Sequence, residues 1–211
     1  IETEASIVAG LADSCAACHG RPRGSAGSGG DVFTRPDSRD APHLFGLGLQ
    51  EMLADEITRD LRAIRDDALD KAERRGEPVR VRLRSKHIEY GWLTAQPGGQ
   101  VDPSEIDGVD ENLRVKPFFA EGSAFSIRQF VVGALNNEMG LEAADPDVLA
   151  ASRGERVVTP AGMVLDGAID HLDPPPVASA SEDGDDDGVV DEVDPALVDH
   201  LEFYLLNYLR P

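Results

Sequence analysis

The two cysteines of the chain constrain it more than any other feature. Both fall in the run Cys15-Ala16-Ala17-Cys18-His19, and no other cysteine exists. This run is a C-x-x-C-H motif, which is typical of covalent haem attachment. Two thiols one helical turn apart can form thioethers with the two vinyl groups of haem, and the histidine that follows can bind the iron. The motif therefore predicts one haem c on Cys15 and Cys18, with His19 as the proximal ligand.

Three other interpretations of the motif have less support in the sequence. A zinc site needs four ligands, and the sequence has no second cysteine pair to complete it. A thioredoxin-like dithiol needs a βαβ setting, which the flanking residues do not predict. A surface disulfide or a chance spacing is possible but requires no His19. We favour covalent haem.

Composition excludes several function classes. The 211 residues are enough for one large domain or two small ones. A formal net charge of -20 disfavours nucleic-acid phosphates and anionic lipids as partners, so we expect no nucleic-acid binding. A hydrophobic fraction of 41% excludes general disorder, and no apolar run approaches the roughly twenty residues of a membrane span.

The motif also bears on location. Haem c is attached outside the bacterial cytoplasm, so we expect an exported, periplasmic protein although the sequence shows no signal peptide. Ile1 is then a mature or trimmed start. Both thiols would be consumed by the cofactor, which leaves none to mispair.

Helical and strand signals alternate along the first half of the chain. Apolar residues recur at helical spacing from Leu49 to Ala68, which predicts a long helix ending near Gly76, with its apolar face in the core, Met52 included. β-rich residues at 79–83 and 88–94 predict a hairpin that ends by about residue 101.

The second half is predicted to be mostly helical. Helices are expected at Ser126–Leu141, from an Asp145 cap to Arg153, and from Pro195 onward, the last with Leu197, Leu201, Tyr204, Leu205 and Tyr208 on one face. Short strands are expected at 157–159 and 163–165. The fold prediction is a mainly α, cytochrome-c-like helical domain with a small β-hairpin insertion. Its predicted parts are a haem domain (1–173), a Pro/Ala/Ser linker (174–181) and a closing segment (182–211).

A second metal signal lies in the acidic run 182–194. Counted from Asp183, acidic residues fall at positions three, five, nine and twelve of a calcium-type loop, with Gly188 at position six. The predicted calcium ligands are Asp183, Asp185, Asp187, the carbonyl of Val189, Asp191 and Asp194. The twelfth ligand is Asp rather than the usual Glu, and Glu192 could compensate. The alternative is a solvated acidic linker.

The sequence also offers candidates for residues that contact the predicted haem. Residues 20–40 form a glycine-rich loop whose arginines could pair with haem propionates, and Arg39 is our assigned candidate. The distal side decides between electron transfer and peroxide chemistry. Candidates for a sixth iron ligand are His43, His87, His171, His200, Met52, Met139 and Met163.

Five segments resemble one protein family. The chain is similar to the dihaem oxidoreductases, a family of peroxidase-like proteins, and residues 115–140 resemble the first domain of the bacterial dihaem cytochrome c peroxidases and of the related methylamine-utilisation dihaem enzyme. The matching segments are Ser14–Gly20, Arg39–Leu49, Arg114–Phe118, Asn137–Gly140 and Asp183–Asp191 followed by the last helix.

This resemblance implies a peroxidase-like oxidoreductase that uses peroxide as electron acceptor. It implies that Glu138 is the distal acid/base for O–O cleavage and that Met139 is its neighbour in the haem pocket. The sequence has a single C-x-x-C-H motif, so we expect the partner to be a second haem domain or an electron-donor protein. The alternatives are an electron-transfer c-type cytochrome, with Met139 or a histidine on the iron, and a haem-bearing subunit of an exported assembly.

Overall fold

A computed structural model of the chain describes residues 14–20, 24, 41–119, 122–183, 188–190 and 192–209. These residues form six helices and five strands. In chain order they are α1 (Cys15–Cys18), α2 (Leu47–Arg75), β1 (Val79–Ser85), β2 (Ile88–Ala95), β3 (Val101–Asp102), α3 (Ile127–Asn137), α4 (Pro146–Ser152), β4 (Arg156–Val158), β5 (Val164–Asp166), α5 (Gly167–Asp170) and α6 (Pro195–Asn207).

The chain divides into two compact units. The first unit comprises Ile1–Gln50 and Phe118–Pro211, and the second comprises Glu51–Pro117. Helix α2 begins in the first unit and continues into the second. Among the described residues, no helix is long and apolar enough to cross a membrane.

The second unit packs α2 against a three-stranded antiparallel sheet in the order β1-β2-β3. The predicted hairpin is present, with Val79 opposite Ala95 and Arg82 opposite Trp92. Alternating side chains of β1 and β2 point to α2 because successive residues of a strand face opposite sides. The resulting core contains Ile57, Leu61, Ala68, Ala72, Val79, Leu83, Tyr90, Leu93, Ala95 and Leu113.

The first unit combines helices α3 to α6 with the two-stranded sheet β4-β5. Helices α3 and α4 begin at side-chain caps, the second of which was predicted: the Ser126 hydroxyl accepts from the backbone N–H of Gln129 at 3.1 Å, and the Asp145 carboxylate accepts from that of Val148 at 2.8 Å. Such caps satisfy N–H groups that have no partner within the helix. The apolar cluster of this unit includes Leu47, Phe125, Ile127, Val132, Leu165, Val198 and Leu205.

A buried arginine lies between three elements of the first unit. Arg128 on α3 is 1% exposed, and its guanidinium donates to Asp145 at 2.7 and 3.0 Å and to Glu202 on α6 at 3.0 Å. Asp199 accepts from the same group at 2.8 Å. Because Asp145 also caps α4, this one side chain ties α3, α4 and α6 together.

The prediction of a mainly α, cytochrome-c-like domain is wrong. Six helices together with two antiparallel sheets make a mixed α/β structure. The physical reason is that the hairpin is more than an appendage: its buried face supplies half of a separate core against α2. A strand pattern in the sequence does not predict how many residues the strand will contribute to a core.

Two helix faces also differ from their prediction. Leu49, Met52 and Leu53 are exposed, whereas Ile57 and Leu61 are buried. On α6 the buried side chains are Val198, Glu202 and Leu205, and the predicted core residues Leu197 and Tyr204 are exposed. Helical periodicity identifies an apolar stripe, but burial depends on which neighbouring element covers it. On α6, Glu202 is buried because its carboxylate accepts a hydrogen bond from the buried Arg128.

Candidate functional site

The C-x-x-C-H motif forms a single helical turn. Helix α1 begins at Cys15, and the backbone N–H of His19 closes the turn on the Cys15 carbonyl at 2.8 Å. Cys15 is exposed and Cys18 half-buried, and these two described thiols do not form a disulfide. The two cysteines and His19 thus lie within one helical turn, the spacing that thioether attachment of one haem requires.

The orientation of the His19 ring is set by a proline carbonyl. Nδ1 of His19 lies 2.7 Å from the carbonyl oxygen of Pro42. A carbonyl can only accept, so Nδ1 carries the hydrogen and Nε2 keeps its lone pair. A histidine that binds a metal usually donates its other ring N–H to such a partner, which fixes the ring and raises its basicity. His19 therefore fits an iron ligand acting through Nε2.

The segment that carries Pro42 is anchored to the end of α6. The Gly46 N–H donates to the Tyr208 carbonyl at 2.7 Å, and the phenol ring of Tyr208 contacts the Phe45 ring edge-on at 4.9 Å. Gly48 packs so tightly on α6 that a Cβ there would lie 2.2 Å from the Leu206 carbonyl oxygen. The C-terminal end of α6 thus holds the acceptor of the His19 hydrogen bond.

Gly24 joins the motif to the same segment. Its N–H donates to the His19 carbonyl at 3.0 Å, and its own carbonyl accepts from Leu44 at 2.8 Å. With φ at +82°, and with the Tyr208 ring only 2.7 Å from where a Cβ would stand, this position suits glycine alone.

Glu138 and Met139 lie in the turn after α3. The backbone N–H of each donates to the Ala134 carbonyl, at 3.0 and 3.1 Å. Both side chains are half-buried. The turn is braced by the fully buried Asn136, whose amide exchanges hydrogen bonds with Ala143 at 3.2 and 3.3 Å.

Met139 contributes to the core of the first unit. It packs against the apolar cluster of the first unit, to which Leu47 belongs and on which Leu44 also packs. The structure therefore brings the predicted distal neighbour and the residues that follow Pro42 onto one cluster.

The other predicted distal ligands are dispersed. His43 follows Pro42 and stacks on Phe45 with 5.7 Å between ring centroids. His200 is exposed on α6, and His171 ends α5. Met163 lies in the turn between β4 and β5, where its N–H donates to Thr159. Met52 and His87 belong to the second unit.

The predicted calcium loop is described only in part. Asp185, Asp187, Asp191 and the propionate candidate Arg39 lie outside the described residues. In the remainder, one oxygen of Asp183 accepts from the Gly188 N–H at 3.1 Å, and Asp194 accepts from Ala196 at 2.9 Å as the cap of α6. Oδ1 of Asp183 is buried and accepts no hydrogen bond from the described chain.

Glu192, the possible substitute ligand, has a different contact. Its carboxylate accepts from the backbone N–H of Glu142 at 2.9 Å. Within the described residues, no three His, Cys, Asp or Glu side chains are grouped so as to hold a metal ion.

The sequence does not predict that Pro42 contacts His19 or that the Tyr208 ring packs on Gly24. Every residue has a carbonyl, so no residue type signals the acceptor of the His19 hydrogen bond. Tyr208 was assigned to a core face by helical spacing. No protein-family model, curated protein or solved structure matches the chain.

Proposed function

We propose that the chain is an exported c-type haem protein with one haem bound covalently through Cys15 and Cys18. The observation that carries this proposal is the 2.7 Å hydrogen bond from Nδ1 of His19 to Pro42, which leaves Nε2 available to the iron. When bound, the haem supplies an iron that accepts and donates single electrons and can react with peroxide. The chain would supply the attachment, the proximal ligand and its fixed orientation.

We further propose a peroxidase-like oxidoreductase of the dihaem family. Heterolysis of peroxide needs a proton moved from the inner to the outer oxygen, and a half-buried carboxylate can take and return that proton. Glu138 is the residue that the family resemblance assigns to this role. The hydrogen bonds between Asn136 and Ala143 support it, because they hold the turn that carries Glu138.

Electron transfer is the second candidate, and the position of Met139 favours it. The Met139 side chain packs against an apolar cluster, where a thioether sulfur is a suitable sixth ligand for haem iron. In this case the iron would have both axial positions filled and would pass electrons without reacting with peroxide.

Either function requires a redox partner, which we propose to be an electron-donor protein or a second haem domain. Covalent haem attachment places the protein outside the bacterial cytoplasm. We also propose a calcium ion in the loop 183–194. The buried Oδ1 of Asp183 supports it, because a carboxylate oxygen without a hydrogen-bond donor is costly to bury unless a cation meets it.

The haem proposal is tested by exporting the chain from a host that has a c-type haem maturation system. Covalent haem should persist on denaturing gels and disappear in the Cys15→Ser, Cys18→Ser double variant. High-spin ferric iron whose Soret band responds to hydrogen peroxide supports the peroxidase, whereas low-spin iron inert to peroxide supports electron transfer. A wild-type chain that carries no covalent haem after maturation rejects both.

The role of Glu138 is tested with Glu138→Gln. The variant should keep its haem but react with peroxide at least tenfold more slowly. The matched control is Glu155→Gln, an exposed residue of the same unit, which should react like the wild type. Equal rates in Glu138→Gln and the wild type would remove Glu138 from the mechanism.

A further inference from the structure

We propose that Tyr204 and Tyr208 relay electrons between a donor docked on the exposed face of α6 and the haem at the C-x-x-C-H motif. This inference rests on the proposed peroxidase function and adds the entry route for its electrons. The donor class is a one-electron redox protein with a cationic surface.

The route consists of aromatic rings in contact. Tyr204 stacks on Tyr208 with 4.8 Å between ring centroids and 28° between planes. Tyr208 contacts Phe45 at 4.9 Å, and Phe45 stacks on His43, the residue after Pro42. Short separations between π-systems favour electron exchange between neighbouring rings, and tyrosine is the more readily oxidised ring of these types. Tyr204 and Tyr208 are therefore the residues of this series of rings that are oxidised and reduced in turn.

Tyr208 is the tyrosine nearer to the C-x-x-C-H motif, through its contact with Gly24. The Tyr208 ring sits against Gly24, whose N–H donates to the His19 carbonyl. Its neighbour Phe45 is three residues from the carbonyl that accepts from the His19 ring. A continuous set of contacts thus leads from the proximal ligand to Tyr208.

The outer tyrosine is open to solvent. Tyr204 is 49% exposed and lies on the face of α6 opposite the buried Val198, Glu202 and Leu205, so it does not serve the core. Phe203 beside it is 62% exposed. Tyr204 thus presents an oxidisable ring to solvent at the outer end of the series of rings, where a protein donor can make contact.

The negative charge of the protein favours a cationic donor protein. The chain has a net charge of -20, and most of the acid excess lies in the first unit, including the acidic run 182–194 that directly precedes α6. Such a field attracts a cationic partner and speeds its encounter at low ionic strength.

The electron balance needs only peroxide and the donor. Two donor molecules each lose one electron, and one peroxide takes two electrons and two protons, so that its O–O bond breaks and two waters form. In each transfer Tyr208 passes an electron inward and recovers one from Tyr204, and Tyr204 recovers one from the donor. Each tyrosine gives up its phenolic proton when it is oxidised and takes one back with the electron that reduces it, so neither phenol is changed over the cycle.

The test uses the haem-loaded protein and hydrogen peroxide without any donor. Exposed Tyr204 phenoxyls of two molecules should then couple to dityrosine, with two tyrosines losing two hydrogens and one peroxide becoming two waters. We expect a fluorescent covalent dimer that mass spectrometry locates at Tyr204. Dimer yield should fall at least fivefold in Tyr204→Phe and in Tyr208→Phe, which keep the rings and remove the oxidisable phenols.

The chain offers a matched control because it has only three tyrosines. Tyr90 is 8% exposed and belongs to the second unit, so Tyr90→Phe should leave the yield unchanged. Undiminished yield in both α6 variants, or a cross-link at Tyr90, overturns the relay. The Soret response to peroxide separates the two proposals: a response without Tyr204 oxidation rejects the relay alone, and no response rejects both.

A donor assay completes the test. Peroxide-dependent oxidation of a reduced c-type cytochrome of high isoelectric point should slow at least fivefold in Tyr204→Phe and lose rate with added salt. A rate equal to that of the wild type and independent of salt contradicts both the relay and its cationic partner.

Discussion

The imidazole of His19 donates through Nδ1 to the carbonyl oxygen of Pro42, 23 residues later in the chain, at 2.7 Å. This bond sets the ring's tautomer and direction, because the carbonyl accepts only an N–H. It also makes the orientation of the His19 ring depend on distant structure, since the segment 42–48 is held by the end of α6. Substitutions at the end of α6 should therefore alter the orientation of the His19 ring.

The contact between Gly48 and α6 should tolerate no side chain. In Gly48→Ala the new methyl would meet the Leu206 carbonyl oxygen at 2.2 Å, so backbone must move. We expect a loss of about 1–3 kcal/mol in the free energy of unfolding, measured by urea denaturation. Gly133→Ala is the control, because its methyl would meet only the movable Phe119 ring at 3.1 Å. Equal stability of Gly48→Ala and wild type contradicts the contact.

Removal of the buried guanidinium should be among the most damaging single changes. Arg128→Met leaves Asp145 and Glu202, both with fully buried side chains, without their shared cation. Breaking such a pair costs about 3–5 kcal/mol, so we expect a large fall in Tm or failure to fold. Lys71→Met removes only a solvent-exposed pair with Asp67 and should change Tm little. Similar Tm values for the two variants would show that the Arg128 network contributes little stability.

Burial raises the pKa of Glu202 above its ordinary value of 4.5, despite hydrogen bonds from Thr159 and Arg128 that lower it. The folded chain then holds this proton at pH values where the unfolded chain has lost it. The resulting stabilisation is present at low pH and is lost as pH rises through the folded-state pKa. Tm of Glu202→Gln should fall less steeply than that of the wild type as pH rises above 4.5.

The control for this pH effect has the opposite sign. A hydrogen bond from Ser85 lowers the pKa of Asp60 below 3.8, so its stabilisation is lost as pH falls through that lowered value. Asp60→Asn should alter the acid side of the Tm profile only. A Glu202→Gln profile parallel to the wild type above pH 4.5 contradicts the assignment.

The tip of the β1-β2 hairpin stores backbone strain. Lys86 and His87 have φ of +50° and +67°, a region that costs most L-residues energy and that glycine adopts readily. His87→Gly should stabilise the protein by about 0.5–1 kcal/mol in chemical denaturation. Lys86 should be kept, because it pairs with Glu56 and Asp60 on α2.

Gly91→Ala is the reciprocal experiment on the same hairpin. Its φ is +78° and a Cβ would lie 2.0 Å from the Glu105 carbonyl oxygen, so this change should destabilise. If both substitutions changed the free energy of unfolding in the same direction, backbone strain would not explain either.

Calcium should raise the melting temperature of the chain. Chelation of calcium should lower Tm by several degrees, and Asp183→Asn should weaken the effect because it removes the charge of the first predicted ligand. Asp173→Asn, an exposed residue outside the loop, is the control. The loop would be only a solvated acidic linker if chelator and added calcium left Tm unchanged.

Local features of the fold were predictable because their causes lie within a few residues. The Asp145 cap followed by Pro146 and the alternating residues of the hairpin each carry their physical reason in the adjacent sequence. The one-turn spacing of Cys15, Cys18 and His19 is of the same kind.

Packing was less predictable because it depends on elements far away in the chain. The stripe that includes Met52 has the correct helical period, yet only the part of α2 from Ile57 onward enters the core. Glu202 is a poor candidate for a core from sequence alone, and its burial becomes possible because Arg128, 74 residues earlier, and Thr159 donate hydrogen bonds to it.

The sequence by itself determined the C-x-x-C-H motif and the haem attachment that it predicts, since two thiols and an imidazole within one helical turn are recognised without any other part of the chain. Only the tertiary structure decided how that imidazole is oriented, which face of α6 is buried, and that Tyr204 and Tyr208 form a ring chain toward the motif. The physical reason is range: spacing along a helix is set by local backbone geometry, whereas a hydrogen-bond acceptor or a ring contact is supplied by whichever distant segment packs there.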